Sequence, residues 1–380
     1  MCPMGKKTYR DSISRTIYNL IRLQGDTTRQ FLADTTQLPP TSMNRVLDKL
    51  IKAGLIAESG LADSTGGRRA NLYSQRTDNY CFGIMQNSDT QTILRIYDPA
   101  LQLLDECQLP LIPASAQETP EIAAWFQSFT EKTQQMMRRV EAENLRMVSA
   151  ALISDEAYED SYDVHIRDFL QNYMSDDRFD FRVISTADAA SYGSLWSPAS
   201  RKLGEATIVL LADMESVSIC LASDGLRHDS RLKSLRVDDL IVPLIRENKP
   251  LTLAGAASAS GLLEYFNQIK QNSNQTWQDF TKAAAAGKKK ATHTITIAAA
   301  GCASAIVNAA LLSDSDHWII TGQLTEELPG LEEETAKQLD NLLKKSNVKL
   351  THLKTHCSFE VLIWQGAGAY MLENFLGQVD

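Results

Sequence analysis

Apolar positions recur with a helical period near the start of the chain. Ile13, Ile17, Leu20 and Ile21 form one face of an amphipathic helix that stops at Gly25. A shorter helix is expected over residues 28–36, with Leu32 and Ala33 turned inward, followed by the turn Gln37-Leu38-Pro39-Pro40. A third helix runs from Thr41 to Ala53, its Met43, Val46, Leu47 and Leu50 repeating at helical spacing. A residue before proline avoids the α region, so Pro39 is extended while Pro40 suits the first helical position. Residues 54–59 and 70–75 are strand-like and flank a loop tipped by Gly66, Gly67, Arg68 and Arg69.

Further along, the period alternates between two and 3.6. Residues 81–86, 91–99 and 103–111 read as a strand meander, 118–144 as a helix and 146–154 as a strand. Short β-rich runs at 181–185, 206–213, 217–223 and 317–322 lie between helical patterns, an α/β organisation. At 380 residues the chain is long enough for two or three domains.

The pattern leaves Thr41, Ser42, Asn44, Arg45 and Lys49 on the outer face of the third helix. Short hydrogen-bonding residues followed by long cations suit a helix that meets base edges and phosphates. The glycines beside Arg68 and Arg69 suit a wing that reaches a minor groove or a phosphate. The alternative is a helical hairpin used only for dimerisation, with solvated arginines. Charge favours DNA: residues 1–76 hold 12 Lys and Arg against 6 Asp and Glu, whereas the rest is acidic and brings the net charge to -9.

The six cysteines lie far apart with no C-x-x-C pair, which argues for reduced thiols in a cytoplasm and against structural zinc. The 43% hydrophobic share is that of a soluble globular protein. No apolar run approaches the ~18 residues of a membrane span, and the first residues have no apolar signal core. A cytoplasmic protein without membrane contact is expected.

The segment "TRQFLADTTQLPPTSMNRVLDKLIKAGLI" followed by "STGGRR" resembles the head of the ROK family of repressors and sugar kinases. The matching positions are Leu32, Ala33, Leu38, Arg45, Leu50, Ala53, Gly54, Leu55 and Gly66 to Arg68. Further on, "STADAASYGSLW", "SDGLRHDS", "HWIITGQL" and "WQGAGAYMLENFL" resemble the ROK body. The resemblance implies a winged helix-turn-helix over 1–76 and a two-lobed ribonuclease-H-like (actin/hexokinase-type) body. Its first lobe is expected over 77–200 and its second over 201–380, with a dimerisation surface there and the last helix returning to the first lobe. Two positions depart from the family. Gln37 stands where a turn glycine is usual, and a positive φ there costs a non-glycine residue roughly 1 kcal/mol. Arg69 replaces the usual proline.

ROK kinases hold nucleotide phosphates with a first-strand Asp-x-Gly-Gly-Thr turn, whose glycines let backbone amides approach the anion. The corresponding "GIMQNSDTQTIL" keeps only Gly83. The second phosphate loop reads "LLADMESVSICLASDG", where Asp213 and Glu215 would repel a phosphate. Asp188 matches the kinases' catalytic base, but Ala187 replaces its asparagine partner, and the Glu-x-Gly-His segment and zinc cysteines of the family are missing. Asp188 is therefore either a ligand-binding residue or a cap of the helix it opens. His228 and His317 are assigned plain surface or core roles. Lys288 to Lys290 are read as a solvated helix junction, and "LPGLEEETAKQL" as a capped acidic surface helix. Gly322, Gly366 and Gly368 are assigned to tight helix–strand packing.

Three functions are compatible with these residues. The first is a regulator, expected to repress carbohydrate-related genes by binding double-stranded operator DNA as a homodimer or higher oligomer. Its kinase-like body would be catalytically dead, hold no cofactor or metal, and sense a sugar-like effector. The second is a DNA-bound scaffold controlled by a regulatory protein. The third is an active sugar kinase, against which the lost glycines speak.

Overall fold

The computed structural model describes residues 7–63, 69–87, 91–111, 120–154, 179–196, 206–223, 234–246, 249–269, 274–313, 315–344, 348–355 and 357–378. The chain packs as two compact units, one formed by residues 1–186 with 367–380, the other by 187–366.

The first unit begins with α1 (Lys7–Gln24), β1 (Thr27–Thr28), α2 (Arg29–Thr36) and α3 (Pro40–Lys52). Strands β2 (Ile56–Leu61) and β3 (Asn71–Gln75) follow, and β3 lies between β1 and β2 in an antiparallel three-stranded sheet. This is a winged helix-turn-helix. α1 stops where Gly25 adopts φ +72°, and α2 starts on Thr28, whose hydroxyl accepts from Phe31 N at 3.2 Å. Ile17, Leu20, Ile21, Leu32, Met43, Leu47 and Leu50 form the head's core as their spacing predicts. Ile13, Ala33 and Val46, expected inside, are half-buried at the margins of those stripes.

The first lobe completes this unit. Strands β4 (Tyr80–Asn87), β5 (Gln91–Tyr97) and β6 (Leu103–Pro110) form an antiparallel meander. α4 (Pro120–Ala142) then leads to β7 (Arg146–Ile153), parallel to β4, and β8 (Asp180–Ile184) pairs parallel to β7. The sheet order is β6-β5-β4-β7-β8. α4 puts Trp125, Phe129, Met136, Met137 and Val140 against one sheet face, where Met85, Leu94, Met147 and Leu152 meet them.

The second unit opens with α5 (Thr186–Trp196) and the hairpin β9 (Ala206–Ala212) and β10 (Val217–Ser223), with β11 (Ser234–Arg236) on its edge. A two-stranded ribbon, β12 (Ile241–Arg246) and β13 (Lys249–Thr252), leads into α6 (Leu253–Ala257), α7 (Ala259–Ile269), α8 (Trp277–Ala285) and α9 (Lys289–Ser313). Then come β14 (His317–Thr321), α10 (Gln323–Glu327), α11 (Leu331–Leu343), β15 (Thr351–His352) and α12 (Phe359–Gln378), whose last residues belong to the first unit. The sheet order β11-β10-β9-β14-β15, with β14 and β15 parallel to β9, repeats the topology of the first lobe. Two such sheets are the ribonuclease-H-like duplication.

One expectation is corrected here. α9 is long and apolar enough, by length and composition, to cross a membrane. A strict count of apolar residues misses it because Thr, Ser, Gly and Asn interrupt the run. In the second unit 61% of its apolar window is buried, in two clusters. Cys302, Ala303, Ile306 and Ala310 pack with Ile208, Leu210 and Val217 of the sheet, and Ile295, Ala298 and Ala299 pack with Phe266 and Phe280.

Candidate nucleic-acid interface

α3 carries the candidate reading surface. Its buried stripe turns Thr41, Ser42, Asn44 and Arg45 outward, and all four are exposed. Lys49, expected among them, is half-buried. The helix opens on Pro39, which supplies no side-chain cap, with Pro40 at its first position. The first helical hydrogen bond runs from Met43 N to Pro39 O at 3.0 Å, so the amides of Thr41 and Ser42 precede it. Amides so placed at a helix start favour an anion.

Asn44 does not stand alone. Its Oδ1 accepts from Arg29 Nη1 at 2.9 Å, and both side chains are exposed. Arg29 thus adds a cation beside the α3 surface. Periodicity within α3 cannot reveal it, because Arg29 starts a different helix; its place directly after the Thr28 cap is the one available sequence signal. Arg69 is exposed at the foot of the wing, where Ala62 N donates to Ala70 O at 2.8 Å. Arg68 lies outside the described residues, as do Gly66 and Gly67. Gln37 adopts φ 56° and ψ 26°, the left-handed conformation that its family position implies. Its own Nε2 donates back to Asp34 O at 2.6 Å.

In the second unit Asp188 is half-buried in the first turn of α5, where a carboxylate complements the helix dipole. The β9–β10 connection is a tight turn over Asp213–Ser216, in which Asp213 N donates to Ser216 O at 3.0 Å. Asp213 Oδ1 accepts from Met214 N at 2.8 Å, and Met214 O accepts from Ala259 N at 2.9 Å. The amide that a phosphate-binding loop would present is therefore already bonded to a carboxylate. The counterpart segment after β4 includes residues 88–90, which lie outside the described residues, as does His228.

His317 is buried on β14. Lys288, Lys289 and Lys290 are exposed where α8 gives way to α9, and Lys290 Nζ donates to Ile269 O at 3.0 Å. α11 begins at Gly330 without a side-chain cap, has Glu332, Glu333 and Glu334 in its first turn, and buries Leu331, Thr335 and Leu339. A Cβ on Gly366 would overlap Ala189 O, and one on Gly193 would overlap Leu362 O, so α5 and α12 touch backbone to backbone. Gly322, at φ 121°, lies against Ala212 O in the same way, and Gly368 against Leu101. Burial pushes the thiols of Cys81 and Cys302 up to about 12 and that of Cys107 up to about 11, which makes them poor nucleophiles and metal ligands. Among the described residues no group of three or more His, Cys, Asp or Glu is arranged to hold a metal ion.

No family model matches the chain. Over 131 residues it is 32% identical to the DNA-binding transcriptional dual regulator NagC of Escherichia coli K12, and equally to the N-acetylglucosamine repressor of Shigella flexneri. The match covers 33% of this chain and 32% of each relative, so the chain spans about a third of the length of the curated relatives it matches. Among solved structures, a ROK family transcriptional regulator described as a homolog of the E. coli MLC protein aligns with a TM-score of 0.66 at 15% identity. That alignment covers 98% of this chain and 100% of the other. The ROK hexokinase of Thermus thermophilus aligns with a TM-score of 0.56 at 15% identity, covering 77% of this chain and 98% of the kinase. The chain is homologous to NagC and has the fold shared by ROK regulators and ROK kinases.

Proposed function

We propose that the chain is a transcriptional regulator, a repressor of carbohydrate-related genes that binds double-stranded operator DNA through its winged head. The observation that carries the reading is the geometry of α3. Its apolar stripe is buried, and Thr41, Ser42, Asn44 and Arg45 stand exposed on a domain with a net charge of +6 in an otherwise acidic chain. The homology to N-acetylglucosamine repressors supports the same reading. Arg45, Lys49, Arg68 and Arg69 are assigned to phosphates or base edges, with Arg29 beside them. One recognition helix reads only a few base pairs, so two heads on one body dimer are expected, each on its own half-site. The test is selection from random duplex DNA with the full chain, together with light scattering at micromolar concentration. Two-fold-related half-sites and a dimer or larger oligomer are expected; a monomer, free and on DNA, contradicts the assignment.

The body is proposed to regulate rather than to transfer phosphate, and to hold neither zinc nor a nucleotide. Phosphoryl transfer rests on positioning and electrostatic stabilisation. The closed Asp213–Ser216 turn, with Glu215 exposed on it, offers a phosphate carboxylates in place of amides. Asp188 is the candidate contact for a sugar-like effector; control by a protein partner is the other reading. A coupled assay with ATP, common hexoses and N-acetylated amino sugars should give no turnover. Phosphorylation of any of them, abolished by Asp188→Asn, overturns the proposal.

A further inference from the structure

The head is joined to the first lobe by more than a tether. Only residues 76–79 separate β3 from β4, and Arg76 N donates to Leu55 O at 2.9 Å while its guanidinium pairs with Asp78 at 2.6 Å. Beyond them, Asn79 Nδ2 donates to Gly54 O at 3.0 Å and the Tyr80 hydroxyl donates to Ala53 O. These bonds seize the carboxyl end of α3 from the lobe side. Gly54 adopts φ +71°, and a Cβ there would collide with Asn79 Nδ2, so this junction accepts no other residue without moving.

A second contact lies on α1. Seven of the eight residues from Ser14 to Ile21 are buried, although a helix at the edge of a free three-helix head would leave one side wet. Tyr18 is wholly buried, and its hydroxyl accepts from Gln75 Nε2 at 2.6 Å. The same Nε2 donates to Pro99 O at 2.7 Å. Pro99 belongs to the β5–β6 turn, which is itself fixed by Leu101 N to Asp98 O at 2.9 Å and Gln102 N to Asp98 Oδ1 at 2.8 Å. One amide group therefore ties the head's first helix and its wing to a rigid turn of the lobe. The Tyr80 ring also packs edge-on against Phe375 of α12, with centroids 5.0 Å apart.

We infer that Gln75, Asn79 and Tyr80 are positioning residues for DNA reading: they hold the winged head in one fixed orientation on the first lobe. On this account the lobe aims the recognition helix, and any change within the lobe is carried to it. The inference rests on the DNA-binding reading for its purpose but not for its geometry, and the experiment separates the two.

A dye on Asp48→Cys, in a full-length Cys2→Ser/Cys357→Ser background, reports head motion by time-resolved fluorescence anisotropy. The wild-type head should tumble only with the whole chain. Gln75→Glu/Tyr80→Phe, nearly isosteric changes that remove two of the three donors and leave only that of Asn79, should add a segmental component on the nanosecond-to-microsecond scale of independently moving parts. Binding of both proteins to duplex DNA selected with the wild-type chain is measured in parallel. The variant should lose affinity on the order of tenfold, because orientation must then be fixed on binding, while its base preference stays the same. A fast segmental component already present in the wild type overturns the inference even if the variant fails to fold, and so does a variant with unchanged decay and affinity. If selection recovers no DNA at all, the DNA-binding reading fails, and the anisotropy decays still decide whether the head is fixed.

Discussion

At the level of single residues, Gln37 ties sequence, backbone and energetics together. Its side chain adds an Nε2–Asp34 bond, but its φ of 56° places a Cβ in the left-handed region. Gln37→Gly should stabilise the α2–α3 turn by about 0.5–1 kcal/mol, the strain relieved less the entropy that glycine adds to the unfolded chain. With two compact units, global melting is a poor gauge. Slower hydrogen exchange of α2 and α3 amides is the measurement; faster exchange would mean that the Asp34 bond outweighs the strain. The exposure of Thr41, Ser42, Asn44 and Arg45 was legible because each is defined by its offset from Met43, Leu47 and Leu50. Arg29 was not, since its bond to Asn44 spans 15 residues and two helices. Lys49 was placed outside by the same offsets, and its half-burial is not legible from helical spacing.

At the level of elements, strands were the easier part. β14 is buried throughout and β9 from Thr207 onward, both in continuous β-rich runs; in the meander β5 follows a period of two, while β4 is buried continuously from Cys81 to Met85. Helix pairing was less legible. "STADAASYGSLW" and "WQGAGAYMLENFL" contain small residues with no amphipathic stripe to announce a partner, yet Gly193 and Gly366 bring α5 and α12 into backbone contact. Gly366→Ala should therefore destabilise the second unit by about 1–3 kcal/mol, the usual range for overpacking, or more, since the obstacles are backbone atoms of Ala189 and Gly193. The readout is the unfolding transition of the second unit, which holds four of the five tryptophans (Trp196, Trp277, Trp318 and Trp364) and is followed by their fluorescence, with Gly287→Ala as the control. Gly287 is open around its Cβ position but has φ +63°, so the control reports backbone strain alone. Equal effects of the two substitutions would contradict close helix packing. α9 shows the opposite failure: its composition is that of a spanning helix, and only its neighbours, the β9–β10–β14 face and helices α7 and α8, reveal a core helix.

For the whole molecule, charge and fold divide the labour. The basic head is proposed to meet a polyanion, and the acidic remainder carries the fold shared by ROK regulators and kinases, with its β9–β10 turn closed on its own carboxylate. The duplicated sheet order could be anticipated from the strand runs together with the family resemblance. The docking of the head could not, because Tyr18, Gln75 and Pro99 are brought together by tertiary structure and none of them stands out in the sequence. The central claim is that DNA is bound by the α3 face of the head and not by the lysine run of the body. It is tested most directly by the salt dependence of affinity for selected duplex DNA, compared among the wild type, Arg45→Ala and Lys288→Ala. A cation that neutralises a phosphate contributes about one unit to the slope of log affinity against log salt. Arg45→Ala should weaken binding and lower that slope by about one unit, while Lys288→Ala matches the wild type in both. Wild-type affinity and slope in Arg45→Ala, or a loss confined to Lys288→Ala, would contradict the account.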